Sequence, residues 1–187
     1  MHRLKTFAFF AGLTAWITAA VAEPLDGDFV IEPDMSKVSY KLIHKFHEVV
    51  GVSRAIEGRA VLTKGEGRVM VRIPVGTFDS GNKNRDAHAK EVLEAHKHPY
   101  VVFKGAISPD SAQTDLLHIK GTLLFHGVEK PIELDVALVQ KEPHVALRLS
   151  FPVSLDEHSV ERPSLLFVKV DDRIMIEGEL AFTTQSR

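Results

Sequence analysis

The chain has 187 residues, 23 basic against 25 acidic side chains, and no cysteine. That length supports one domain with its own core, and the balanced charge without a basic run excludes a nucleic-acid footprint. Without thiols there are no disulfides, thiolate metal sites or cysteine nucleophiles; an oxidising compartment permits disulfides but does not demand them.

The first 22 residues read as a secretory signal peptide. Arg3 and Lys5 precede an apolar run of about eleven residues from Phe7 to Ile17, and Ala20-Val21-Ala22 supplies a small-x-small cleavage site. The run is shorter than the roughly 20 apolar residues of a membrane-spanning helix, and no later stretch qualifies, so an integral membrane protein is not expected. The mature chain, residues 23–187, is then a single periplasmic or secreted domain.

Downstream, period-two apolar alternation dominates and predicts strands with one face on a core. It is weak over 38–43 and 56–62, then clear at Val69, Val71, Ile73 and Val75. Residues 86–97 break the pattern: Ala89, Val92, Leu93 and His96 share a helical face, with Asn84 or Asp86 as cap and Pro99 as stop. Strand patterning resumes over 100–107 and 116–125. It strengthens at Ile132, Leu134, Val136 and Leu138, again at Val145, Leu147, Leu149, Phe151 and Val153, and finally at Ile174, Ile176, Gly178, Leu180 and Phe182. Residues 154–163 read as a long polar loop. Gly121, mid-strand and in phase with Ile119 and Leu123, predicts close approach of a neighbouring strand.

Eight strands joined by short turns such as Lys64-Gly65-Glu66-Gly67 and His126-Gly127, with no alternating strand–helix order, predict an all-β fold. The expected architecture is an antiparallel eight-stranded barrel, just wide enough for packed side chains or one small ligand.

Specific residues add a resemblance. The run Phe78-Asp79-Ser80-Gly81-Asn82-Lys83-Asn84-Arg85-Asp86-Ala87-His88, followed by His98-Pro99-Tyr100-Val101-Val102-Phe103, resembles the central signature of the YceI-like family. Gly121-Thr122-Leu123-Leu124-Phe125-His126-Gly127-Val128-Glu129-Lys130-Pro131 resembles its second, and Ile31, Ser36, Val38, Tyr40, His44 and Gly51 fit its opening strands. The usual arginine-aspartate-phenylalanine-glycine-like stretch is replaced here by Val160-Glu161-Arg162-Pro163-Ser164-Leu165-Leu166. The resemblance implies a lipocalin-like barrel with a short helix across its mouth, periplasmic, holding a polyisoprenoid or similar lipid-like molecule.

The apolar strand faces suit such a cargo. Each buried methylene contributes about 0.8 kcal/mol, so a five-carbon isoprene unit grosses roughly 4 kcal/mol; alternatively the same side chains simply fill the barrel. Candidate ligand-binding residues are Phe78, Arg85, Val92, Leu93, Phe103 and Phe125. Arg85 either receives an anionic head group beside the helix N-terminus or pairs with a carboxylate. Lys90 reads as solvent-facing.

Ten histidines invite a metal reading, with His44, His47, His88, Glu91, His96 and His98 as the available donors. Their spacing places them on diverging faces, so no metal and no cofactor are expected. No catalytic residue stands out either, since Ser80 lacks the glycine-x-serine-x-glycine spacing of a nucleophile elbow. The expected function is non-catalytic carriage of an apolar or amphiphilic small molecule; a metal- or histidine-dependent hydrolase on the same barrel is the alternative. The sequence leaves a homodimer open.

Overall fold

Apolar alternation becomes a closed ring of strands in the computed structural model, which describes residues 25–44, 47–109, 115–140, 143–162, 164–165 and 168–185. The signal-peptide reading falls outside the described residues. In chain order the elements are β1 (Gly27–Ile31), β2 (Lys37–His44), β3 (His47–Ser53), β4 (Glu57–Thr63), β5 (Glu66–Pro74), α1 (Lys83–Val92), β6 (Tyr100–Pro109), β7 (Leu116–Phe125), β8 (Val128–Gln140), β9 (Val145–Ser154), β10 (Ser164–Leu165), β11 (Val168–Lys169) and β12 (Arg173–Thr184).

Antiparallel pairing runs β4-β5-β6-β7-β8-β9-β12, and β1 pairs with both β4 and β12. These eight strands close a barrel. The β2–β3 hairpin extends the wall along the other half of β12, where Met175–Glu179 pair with Lys41–Lys37. Among the described residues no helix is long and apolar enough to cross a membrane.

All eight strands expected from the pattern are present. β1 and β3 lacked a legible pattern: β1 offers only Phe29 and Ile31 as buried apolar residues, and in β3 the inward position opposite Tyr40 is Gly51. A Cβ there would collide with the Tyr40 ring, so the aromatic occupies the place of the missing side chain.

Local chemistry fixes the turns. Lys64-Gly65 and His126-Gly127 have positive φ at both positions, and each joins directly paired strands, Thr63 to Glu66 and Phe125 to Val128. That is the two-residue hairpin geometry whose twist matches the flanking strands. Between β1 and β2 the chain detours through a 3-10 turn, Pro33–Met35. Ser36 repairs the ladder there: its hydroxyl oxygen accepts from the Ala181 N–H at 2.9 Å, at a position with no exposure.

The helix differs from expectation at both ends. It starts at Lys83 because Asn82, not Asn84 or Asp86, caps it, its side-chain oxygen accepting from the N–H groups of Asn84 and Arg85. It ends at Val92, and residues 93–97 are turns with Glu94 at φ 43°. Within the segment read as a long polar loop, β9 continues to Ser154, a 3-10 turn spans Asp156–His158, and Leu155, His158 and Val160 are buried.

Two apolar clusters form the core. Phe29, Leu62, Leu117, Leu138, Val145 and Phe182 belong to the first, which fills the barrel end near the β4–β5 turn. Leu123, Phe125, Leu155, Val160 and Ile174 belong to the second, at the helix end. The outer face carries cross-strand ion pairs such as Lys37–Glu179 and Lys41–Glu177, both 2.9 Å; exposed pairs of this kind contribute about 0–1 kcal/mol each.

Candidate functional site

Inward-pointing residues along the middle of the barrel are only half-buried. Val71, Phe103, Leu147, Leu149, Phe151 and Ile176 lie in phase with the apolar inward faces of their strands yet remain accessible. The reason is a cavity of about 850 Å³, which all six line. The barrel is hollow rather than filled, and this volume lies in the upper part of the roughly 300–1,000 Å³ range of small-molecule pockets.

The cavity is lined by apolar residues such as Val38, Ile119, Leu134, Leu180 and Phe182, and its polar lining comes from Asn82, α1, Tyr40 and His47. All six residues singled out from sequence, Phe78, Arg85, Val92, Leu93, Phe103 and Phe125, lie on its lining. Lys90, read as solvent-facing, is exposed but also reaches the lining.

Arg85 is held in place at the mouth. Its Nε donates to the Ser80 hydroxyl at 2.8 Å and its Nη2 to the Ser80 carbonyl at 2.7 Å. Asp86 accepts from the Ser80 N–H at 3.1 Å and from the same hydroxyl. This network satisfies Asp86 and fixes the guanidinium, which pairs with no carboxylate among the described residues. Tyr40 lies alongside, with its ring 5.6 Å from that of Phe78. Burial pushes its hydroxyl above the usual range, the Asp86 charge adds to this, and the Arg85 charge opposes it. At neutral pH the mouth therefore presents a neutral phenol and a guanidinium beside an apolar shaft.

The family model of the YceI-like domain matches residues 29–182. The chain belongs to the YceI-like domain family. Solved structures of similar fold include BcnA from Burkholderia cenocepacia, with a TM-score of 0.73 at 19% identity, covering 82% of this chain and 99% of that one. A polyisoprenoid binding domain from Saccharophagus degradans matches with a TM-score of 0.65 at 13% identity, covering 84% and 98%. The Campylobacter jejuni YCEI protein matches with a TM-score of 0.59 at 16% identity, covering 78% and 90%. At these identities the likeness is one of fold. No curated protein matches the chain.

The histidines of this YceI-like barrel are not arranged as their sequence spacing suggested. His47 and His88 line the cavity, and His88 Nδ1 lies 3.7 Å from Glu91 on the exposed face of α1. The β2–β3 register sets His44 opposite His47. His98 instead joins Glu94 and His126, whose ligating atoms all lie within 4.8 Å of one another. Neither partner was singled out from sequence. The signal was available in the hairpin: pairing of Val102 with Leu124 carries the start of β6 alongside the end of β7, and so His98 alongside His126. The Lys97 ammonium hydrogen-bonded to Glu94 is the main reason its carboxyl sits below the usual carboxylate range.

Proposed function

We propose that this YceI-like protein is an exported, non-catalytic carrier of an amphiphile with an apolar, isoprenoid-like chain. The observation that carries the reading is the hollow, largely apolar cavity of about 850 Å³ with its polar lining from Asn82, α1, Tyr40 and His47. An apolar chain gains from burial along the shaft, while Arg85 and Tyr40 suit a polar or anionic head group. Similarity of fold to a domain described as polyisoprenoid binding supports the same class of ligand. A Ser80 nucleophile lacks support, because its hydroxyl engages Asp86 and Arg85 rather than a histidine base.

Export rests on the charged start, the apolar run and the Ala20-Val21-Ala22 site. Native mass spectrometry of the protein from its own envelope fraction tests both parts together. The expected species starts at Glu23 and carries a lipid-sized adduct lost on organic extraction. An unprocessed species confined to the cytosol contradicts export; a processed species with no adduct, or with a metal alone, contradicts lipid carriage.

A further inference from the structure

We infer that Glu94, His98 and His126 form a binding site for a divalent transition-metal ion of the zinc type, outside the barrel cavity. Two imidazoles and a carboxylate are the donor set such ions take, with a further position left for water or another ligand. The geometry at His126 points to a ligand role. Its side chain is nine-tenths buried. Its Nδ1 lies 3.1 Å from the His158 carbonyl, which can only accept, so in the neutral ring Nδ1 carries the proton and Nε2 has the lone pair. This is the arrangement by which a backbone carbonyl fixes the tautomer of a metal-ligating histidine. Nε2 has no hydrogen-bond partner among the described residues, and it faces Glu94 Oε2 at 3.7 Å.

The other two donors are positioned as firmly. Glu94 and His98 are four residues apart in a turn closed by the His98 N–H donating to the Glu94 carbonyl at 2.9 Å. Lys97 holds Glu94 Oε1 at 2.5 Å, which leaves Oε2 toward His126. The His98 ring lies 5.1 Å from the His126 ring and packs over Gly127, where a Cβ would stand 2.5 Å from His98 Cε1. Ligands bound to zinc at 2.0–2.1 Å in tetrahedral geometry stand about 3.4 Å apart, so small side-chain rotations close this set around an ion. Leu93 and Phe125, the cavity-lining neighbours of Glu94 and His126, belong to the two segments the ion would join.

Backbone conformation makes the test clean. Glu94 follows the helix cap at φ 43° and His126 opens a two-residue hairpin turn at φ 50°, positions that favour glycine and asparagine respectively. Glu94→Gly and His126→Asn therefore remove a ligand while suiting the local backbone. Tag-free protein stripped with chelator is titrated with zinc chloride by calorimetry, and thermal melts are recorded with and without the ion. Wild type is expected to bind one zinc ion per chain and melt higher when loaded. Both variants are expected to bind at least about tenfold more weakly, to lose the zinc-dependent rise, and to match or exceed wild-type stability without metal. His118→Ala, which removes the exposed histidine beside Glu133 and Asp135, is expected to keep the wild-type affinity. No saturable zinc binding by wild type, binding undiminished in both variants, or loss only in His118→Ala overturns the site. So does a large loss of metal-free stability in both variants, which would make the cluster a hydrogen-bonded brace.

Discussion

Gly121 shows how one absent Cβ holds two strands together. It pairs with Gly105, and a Cβ at position 121 would collide with the Lys104 carbonyl oxygen and stand 2.8 Å from the Phe103 ring. Phe103 thus folds over both glycines and turns its remaining surface to the cavity. Backbone cannot yield cheaply to such overlap, so Gly121→Val is expected to cost about 2–3 kcal/mol, a fall in melting temperature of roughly 5–10 °C for a domain of this size. An unchanged melt would contradict the packing. Ser36 is a different dependence, on one hydroxyl. Ser36→Ala leaves the buried Ala181 N–H without its acceptor, at an expected loss of about 1–3 kcal/mol in denaturant unfolding; an unaltered midpoint would contradict this role. Gly121 was legible in sequence because a glycine in phase with Ile119 and Leu123 leaves a gap in an apolar face, which a neighbouring group must fill. Ser36 was not, because its partner lies 145 residues away across the barrel seam.

Among the elements, α1 is the one whose stability depends least on itself. None of its residues is fully buried, and its apolar side, Val92 followed by Leu93 at the cap, faces a cavity instead of a packed core. Helices of this length draw their stability chiefly from packing, so on the proposed function a chain in the cavity would supply what the barrel does not. Amide exchange in α1 is expected to be faster than in β12 without ligand and to slow selectively when a prenol is added. Equal exchange of α1 in both states would contradict this dependence on the cavity's contents. The periodic strands were legible because a barrel wall has one apolar face over many residues. The helix boundaries were misplaced because capping competes locally: Asn82, Asn84 and Asp86 all have capping side chains, and Asp86 is instead drawn to Ser80. Spacing along the chain compares His98 only with donors such as His96; His126, in the turn between β7 and β8, is brought beside it by strand pairing.

For the whole molecule, closure by β1 and β12 pairs every strand of the eight-stranded ring on both sides and leaves β3, beyond β2, at the end of the sheet. It also sets how the interior is used. One end is packed by Phe29, Leu117 and Phe182, while half-buried Phe103, Leu149 and Phe151 surround open space beneath α1. Sequence periodicity alone cannot separate a filled barrel from a hollow one, because both need the same inward faces; the difference lies in side-chain volume summed around the ring. A hollow apolar interior is a standing cost in lost dispersion contacts, which a bound chain restores. On the proposed function, this interior takes up an apolar chain with Leu93 against it. A fluorescent prenol titrated into delipidated wild type, Leu93→Asp and Glu91→Gln measures this directly, with circular dichroism showing that each is folded. Glu91 is highly exposed and off the cavity lining, so Glu91→Gln is expected to bind like wild type. Leu93→Asp sets an unpaired carboxylate against the chain and is expected to weaken binding at least about tenfold. Equal affinity in all three proteins, or no saturable binding by folded wild type, would contradict the account.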